Sequence, residues 1–199
     1  MLPIEKIKNK FEQNNKVMRT NELHEARIYY NDIQKLIELG VIEKLRYGYY
    51  QWVDSENLSE AATVTRLFPD AIMCMDTALY YYIYSDRTPA AWHLAVSKDS
   101  NKTRFNIDHP VTKPYYVEPT LFEIGAVDGE IDGNSIRIYD KERTICDCLR
   151  YFRKMDKETF NKAIQSYIAD SERNIPRLLE YAKKLRVMQK VQTIIGVWI

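Results

Sequence analysis

Long apolar runs are missing from this sequence. No stretch approaches the roughly 18 residues that a membrane-spanning helix needs, so the chain is expected to cross no membrane. Cysteine is scarce: Cys74, Cys146 and Cys148 are the only three in 199 residues. An odd number spread over a mid-sized chain offers no disulfide framework, and a reducing, cytoplasmic setting follows. The opening MLPIEKIKNKFEQNNK alternates apolar and charged residues and lacks the unbroken apolar core of a signal peptide. Also missing are a GxGxxG fingerprint, a phosphate loop, a GxSxG elbow and an HExxH helix, so no cofactor and no resident metal are expected. Neither repeats nor low-complexity tracts occur. The net charge is only +1.

What is present describes a packed protein. Hydrophobic residues make up 45% and charged residues 29%, a balance that supports a folded core. The charge is unevenly spread. Residues 1–54 carry +1, residues 55–149 carry −6 and residues 150–199 carry +6. An acidic middle and a basic end give a dipolar surface.

The periodicity reads as three short helices and a hairpin. Ile4, Ile7 and Phe11 are spaced for one amphipathic helix. Leu23 and Ala26 follow the caps Thr20 and Asn21 in a second, and Ile33, Leu36 and Ile37 share a face in a third that stops at Gly40. The segment VIEKLRYGYYQWV then alternates and turns at Tyr47–Gly48. That order is the layout of a winged helix-turn-helix, whose third helix enters the major groove. The polar DSENLSEAA suggests a boundary, giving domains 1–54 and 55–199. The second is expected to be a mixed α/β domain with C-terminal helices: helices over 56–67 and 76–84, a buried strand over 91–97, further extended segments, then helices over 140–154, 157–170 and 174–190. The fold class is α+β.

Several residue groups invite functional readings. On the third helix, Asn31 and Gln34 have the amide geometry that pairs with adenine edges, and Lys35 can neutralise a phosphate. Asp32 and Glu38 oppose that role, and the alternative is a winged helix used for protein contacts. In the hairpin most aromatics are expected to pack inward, leaving Arg46 and Tyr47 for a phosphate or sugar. Arg150, Arg153, Lys154 and Lys157 form a basic stripe at helical spacing. Arg173, Arg177 and Lys184 form a second, with Lys183 and Arg186 beside it. Cys146 and Cys148 sit two apart on a helix, so their side chains diverge by about 200° and cannot readily share an ion; His24, His93 and His109 are distant. Tyr80, Tyr81, Tyr82 and Tyr84 divide between core and interface. Asp128, Glu130 and Asp132, with Lys141 and Glu142 after them, could hold magnesium in a nuclease, but DGEIDGN has the chemistry of a turn.

The N-terminal run NELHEARIYYNDIQKLIELGVIEKLRYGYYQW, followed by IRIYDKERTICDCLRYF with its Arg-Thr pair before an apolar helix, resembles the AbiEi family of antitoxins from bacterial abortive-infection systems. The resemblance spans the whole chain. It implies a type IV antitoxin that is not an enzyme. Its winged helix would bind inverted repeats in promoter DNA as two copies and repress the antitoxin–toxin operon. Its C-terminal domain would counter a nucleotidyltransferase-like toxin without a stable complex, and the free protein would be a monomer. On this reading Arg27, Tyr30, Asn31, Gln34, Lys35, Arg46 and Tyr47 contact DNA. The sets Arg150–Lys157 and Arg173–Arg186 carry antitoxin function. The rival readings are a metal-dependent nuclease using the acidic segment and a solitary winged-helix repressor.

Overall fold

The computed structural model describes residues 3–53 and 59–198. These form an α+β protein with two sheets, divided into two compact units. The first comprises the chain up to Pro69 with Asn101–Val111 and Asp132–Asn134; the second comprises Asp70–Ser100, Thr112–Ile131 and the chain from Ser135 onward. The boundary expected between residues 54 and 55 lies outside the described residues. The first unit runs past it and takes in the following helix. Among the described residues no helix is long and apolar enough to cross a membrane.

The first unit opens with α1 (Ile4–Glu12), whose Ile7 and Phe11 are fully buried. A strand that the pattern did not reveal follows, β1 (Val17–Arg19). Three residues are too few to declare a period of two. Next come α2 (Thr20–Glu25), α3 (Tyr30–Glu38), β2 (Ile42–Arg46), β3 (Tyr49–Trp52) and α4 (Glu60–Leu67). The sheet order is β1-β3-β2, antiparallel throughout. Its inner face and the helices bury Phe11, Met18, Leu23, Ile33, Leu36, Ile42 and Trp52 as one core. Phe11 and Trp52 meet with ring centroids 5.7 Å apart. The hairpin turns where the sequence predicts. Gly48 has φ of +78°, a backbone that side chains with a Cβ resist.

The second unit is built on a five-stranded mixed sheet. In chain order it contains β4 (Ile72–Met73), α5 (Met75–Tyr81), β5 (Trp92–Ser97), β6 (Thr112–Val117) and α6 (Pro119–Phe122). β7 (Ala126–Ile131), β8 (Asn134–Tyr139), α7 (Lys141–Tyr151), α8 (Lys157–Ala169), α9 (Ile175–Lys184) and α10 (Met188–Ile194) complete it. The sheet order is β6-β5-β4-β8-β7; β5 runs parallel to β6 and β4 parallel to β8, while β4 and β5 are antiparallel. Helices α7, α8 and α9 start on side-chain caps. Asp140 accepts the N–H of Arg143 at 2.8 Å, Asp156 that of Thr159 at 2.9 Å, and Asn174 that of Arg177 at 3.0 Å. Ile145, Leu149, Ala163, Tyr167, Leu178 and Ala182 are fully buried between α7, α8 and α9.

Three expectations change. The helix expected over 76–84 ends at Tyr81, because Ile83 adopts φ of +59° and turns the chain back. Tyr84 is thereby buried, donating to the Asp170 carboxylate, while Tyr80 stays half exposed. The helix expected over 174–190 is two helices, α9 and α10, separated at Arg186 with φ of +57°. The segment DGEIDGN is not all turn: Asp128 and Glu130 lie on strand β7, and only Asp132 and Gly133 make the turn.

Candidate nucleic-acid interface

The solvent side of the first unit gathers part of the predicted DNA set on α3 and the hairpin tip. Tyr30 opens α3 with 69% of its surface exposed, and Asn31 and Lys35 are also exposed. Gln34 is only half buried into the helix flank. Asp32 is not the free carboxylate the spacing suggested. It turns back to accept the backbone N–H of Tyr29 at 3.3 Å, capping its own helix. Arg27 is exposed in the turn before α3, with φ of +61°. Tyr47 stands at the hairpin tip with 92% of its surface exposed, and the Lys44 ammonium lies 5.7 Å from its ring centre. Two neighbours escaped the sequence reading. Tyr29 is 57% exposed beside His24, and Lys44 sits next to the tip; an RIYYN link and an alternating hairpin do not disclose which residues face outward.

Arg46 requires a correction. Its guanidinium points into the unit rather than toward a partner, donating from Nη2 to the Leu67 carbonyl at 2.7 Å and from Nη1 to the Arg104 carbonyl at 3.4 Å. It lies 4.0 Å over the Tyr49 ring and 5.3 Å from that of Phe68. Burial lowers its pKa, partly offset by Tyr49. The physical reason is capture by carbonyls distant in sequence, those of Leu67 and Arg104, which a reading of the hairpin alone does not contain. The other hairpin aromatics do pack inward, with Tyr50 and Trp52 in the core.

The basic stripe of the second unit is not carried by one helix. α7 stops at Tyr151, a short 3-10 turn covers Phe152–Lys154, and α8 begins at Lys157. Arg150, Arg153 and Lys154 nevertheless converge with Arg186 on a groove of about 770 Å³ at the ends of α7 and α10. Lys157 is exposed but outside the groove lining. Lys190, missed because it stands alone in its helix, lines the groove too. Its ammonium donates to the Leu149 carbonyl at 2.8 Å and lies 4.7 Å from the Phe152 ring, capping α7 where the helix dipole is negative. The second predicted set disperses. Arg173 donates to the Asp170 carbonyl at 3.0 Å, and Arg177 lies 3.8 Å from Asp140. Lys184 pairs with Glu180 at 2.6 Å, and Lys183 is exposed. Only Arg186 of that set joins the groove.

Inside the second unit lies a charged core. Arg143 is fully buried on α7; its Nε donates to Asp147 Oδ2 at 3.0 Å, and its Nη1 donates to the Leu121 and Ile124 carbonyls at 2.7 and 2.6 Å. Its guanidinium lies 4.0 Å over the Tyr139 ring. Burial pushes the Asp147 carboxyl above its ordinary range, and Arg143 opposes that shift. Gly125 permits the arrangement, since a Cβ there would stand 2.4 Å from that of Arg143. Cys74, Cys146 and Cys148 are free, buried thiols whose pKa burial raises. Among the described residues no group of three or more His, Cys, Asp or Glu is arranged to hold a metal ion.

His93 is buried on β5. Its Nδ1 accepts the N–H of Asp76 at 3.2 Å and therefore carries no proton, and burial pushes its pKa down to about 4 although the Asp76 carboxylate lies 3.7 Å from Nε2. In the unfolded chain a histidine titrates near 6.5. Between about pH 6.5 and 4 the unfolded state therefore binds a proton that the folded state refuses, and stability is lost as pH falls through that window. Urea midpoints measured from pH 7.5 to 4.5 should fall, and His93→Gln should flatten the slope. An unchanged slope in the variant would remove His93 as its cause.

No known family model matches this chain, and no curated protein matches it in sequence.

Proposed function

We propose that the protein is a DNA-binding autorepressor and antitoxin: its first unit is a winged helix-turn-helix that reads promoter inverted repeats, and its second opposes a nucleotidyltransferase-like toxin without catalysis. The observation that carries the first half is the exposure of Tyr30, Asn31 and Lys35 on α3 and of Tyr47 at the hairpin tip of the same unit. Helix and tip belong to a unit whose strands pair in the order β1-β3-β2. Such a helix can lie in a major groove while the tip follows the backbone. Asn31 offers two hydrogen bonds to an adenine edge, Lys35 and Arg27 neutralise phosphates, and Gln34 supports them from the flank. Arg46 is left out, its Nη1 and Nη2 groups donating to carbonyls inside the unit. Two copies would occupy an inverted repeat, each reading one half. The antitoxin half rests on the family resemblance, and the basic groove of the second unit is the surface assigned to it.

The test is a gel shift on the DNA upstream of the protein's own reading frame. Retardation is expected at about 50 mM salt, weakening steeply by about 200 mM as counterions are released. Asn31→Ala should weaken binding by roughly 5- to 150-fold, corresponding to about 1–3 kcal/mol for one bidentate base contact. Lys35→Ala should lower the salt slope by about one phosphate contact. No retardation at low salt, or both variants binding like the parent, would end the proposal.

A further inference from the structure

Beside the buried Arg143–Asp147 pair the second unit holds a cavity of about 160 Å³, separate in chemistry from the basic groove. Its inner end is polar. The Asp147 side chain is only 8% exposed, and it accepts through Oδ2 alone. No described residue donates to its other oxygen, and that atom is not sealed away from the cavity. A donor on a bound molecule can therefore reach that oxygen through the cavity. Burial pushes the carboxyl upward, and the Arg143 and Arg150 guanidinium groups oppose that shift.

The outer end carries the opposite charge. Arg150, three residues further along α7, lines the same cavity and is exposed. Residues three apart share a helix face, with about 5–6 Å between their Cβ atoms. Lys98 also lines the opening but is paired with Glu118 at 2.6 Å. The lining charges thus cancel in two pairs, Lys98 with Glu118 and Arg143 with Asp147. The Arg150 guanidinium is left with no ion pair among the described residues. Between the two ends the wall is apolar and aromatic, including Met75, Val117 and Tyr151.

From this geometry we infer that the cavity is a binding site for a free α-amino acid, its ammonium group donating to Asp147 and its carboxylate meeting Arg150. Size decides the class. A cavity near 150 Å³ accommodates a molecule of about benzene's dimensions, whereas nucleotides and other drug-sized ligands need roughly 300 Å³ or more. Charge decides the polarity. The open carboxylate oxygen can accept from a donor-bearing cation and the exposed guanidinium can meet an anion, and an α-amino acid carries both within a few ångströms. The aromatic wall suits an apolar side chain.

The inference does not depend on DNA binding and is tested with the full chain alone. Each of the twenty amino acids, added singly at about 5 mM, is screened by thermal shift, and every hit is titrated by calorimetry. One amino acid or a small apolar group is expected to raise the melting temperature with increasing concentration, as ligand binding to the folded state requires. Acetate and methylamine, each carrying half of the chemistry, should not. Arg150→Gln removes an exposed side chain and should fold like the parent while binding at least tenfold more weakly. Asp147→Asn should lose binding as well; because it also disturbs Arg143, its folding is checked by circular dichroism, and Arg150→Gln decides the matter if it fails to fold. No amino acid binding to the parent protein, or undiminished binding to Arg150→Gln, overturns the inference.

Discussion

Replacing Arg143 with methionine is expected to cost about 3–5 kcal/mol of stability in the second unit, because it strands a buried carboxylate without its counter-charge. The same change leaves the Leu121 and Ile124 carbonyls without the Nη1 donor that now serves both, and each buried orphan adds its own desolvation penalty. The urea midpoint should fall accordingly. The double variant Arg143→Met, Asp147→Leu discriminates the cause. With both charges gone no buried charge is left unpaired, and the part of the loss due to the stranded carboxylate should be recovered, since an apolar pair of similar volume is often no worse than a buried ion pair; the Leu121 and Ile124 carbonyls still lack their donor. If the double variant is as unstable as the single one, the cost lies in the lost carbonyl donors and the packing over the Tyr139 ring and not in the unpaired carboxylate.

The second large effect is expected in cells. Charge reversal at Arg153, Lys154 and Arg186 turns three cations lining the groove into anions, and the antitoxin reading then predicts that the triple variant no longer protects cells expressing the partner toxin. All three side chains are exposed, so folding should be undisturbed; surface substitutions away from buried networks usually change stability by less than about 0.5 kcal/mol. The promoter gel shift should remain near that of the parent. Survival equal to the parent would remove the groove from antitoxin function while leaving repression untouched.

How much of this was legible beforehand depended on the kind of signal. Helices α1, α2 and α3 were readable because Ile7 and Phe11, Leu23, and Ile33 and Leu36 recur at helical spacing and are buried. The hairpin was readable because Gly48 marks its turn. β1 was invisible, being three residues long, although it completes the sheet through Met18 and Tyr50. At the site, exposure followed the helical period for Asn31 and Lys35. It failed for Asp32, captured by its own helix end, and for Arg46, captured by carbonyls distant in sequence. The basic residues were recognised by spacing, but spacing presumes an unbroken helix. The breaks at Phe152–Lys154 and at Arg186 scatter one set and bring Arg150, Arg153, Lys154 and Arg186 together with Lys190. Local pattern discloses which residues are charged; chain reversals decide which of them meet.

The inward-pointing Arg46 has a consequence for the order of events during synthesis. Its two carbonyl acceptors belong to Leu67 and Arg104, the latter 58 residues further along. Near it Phe68 stacks on Phe105 with ring centroids 4.8 Å apart. At the usual pace of translation, about 5–20 residues per second, that separation is a wait of roughly 3–12 s. The hairpin is therefore synthesised several seconds before the second of its arginine's acceptors exists. A nascent chain ending near residue 54 would carry a guanidinium with no carbonyl to satisfy it. The first unit can reach its finished form only after part of the second has been made, so the unit assigned to DNA matures late although its helices are translated first.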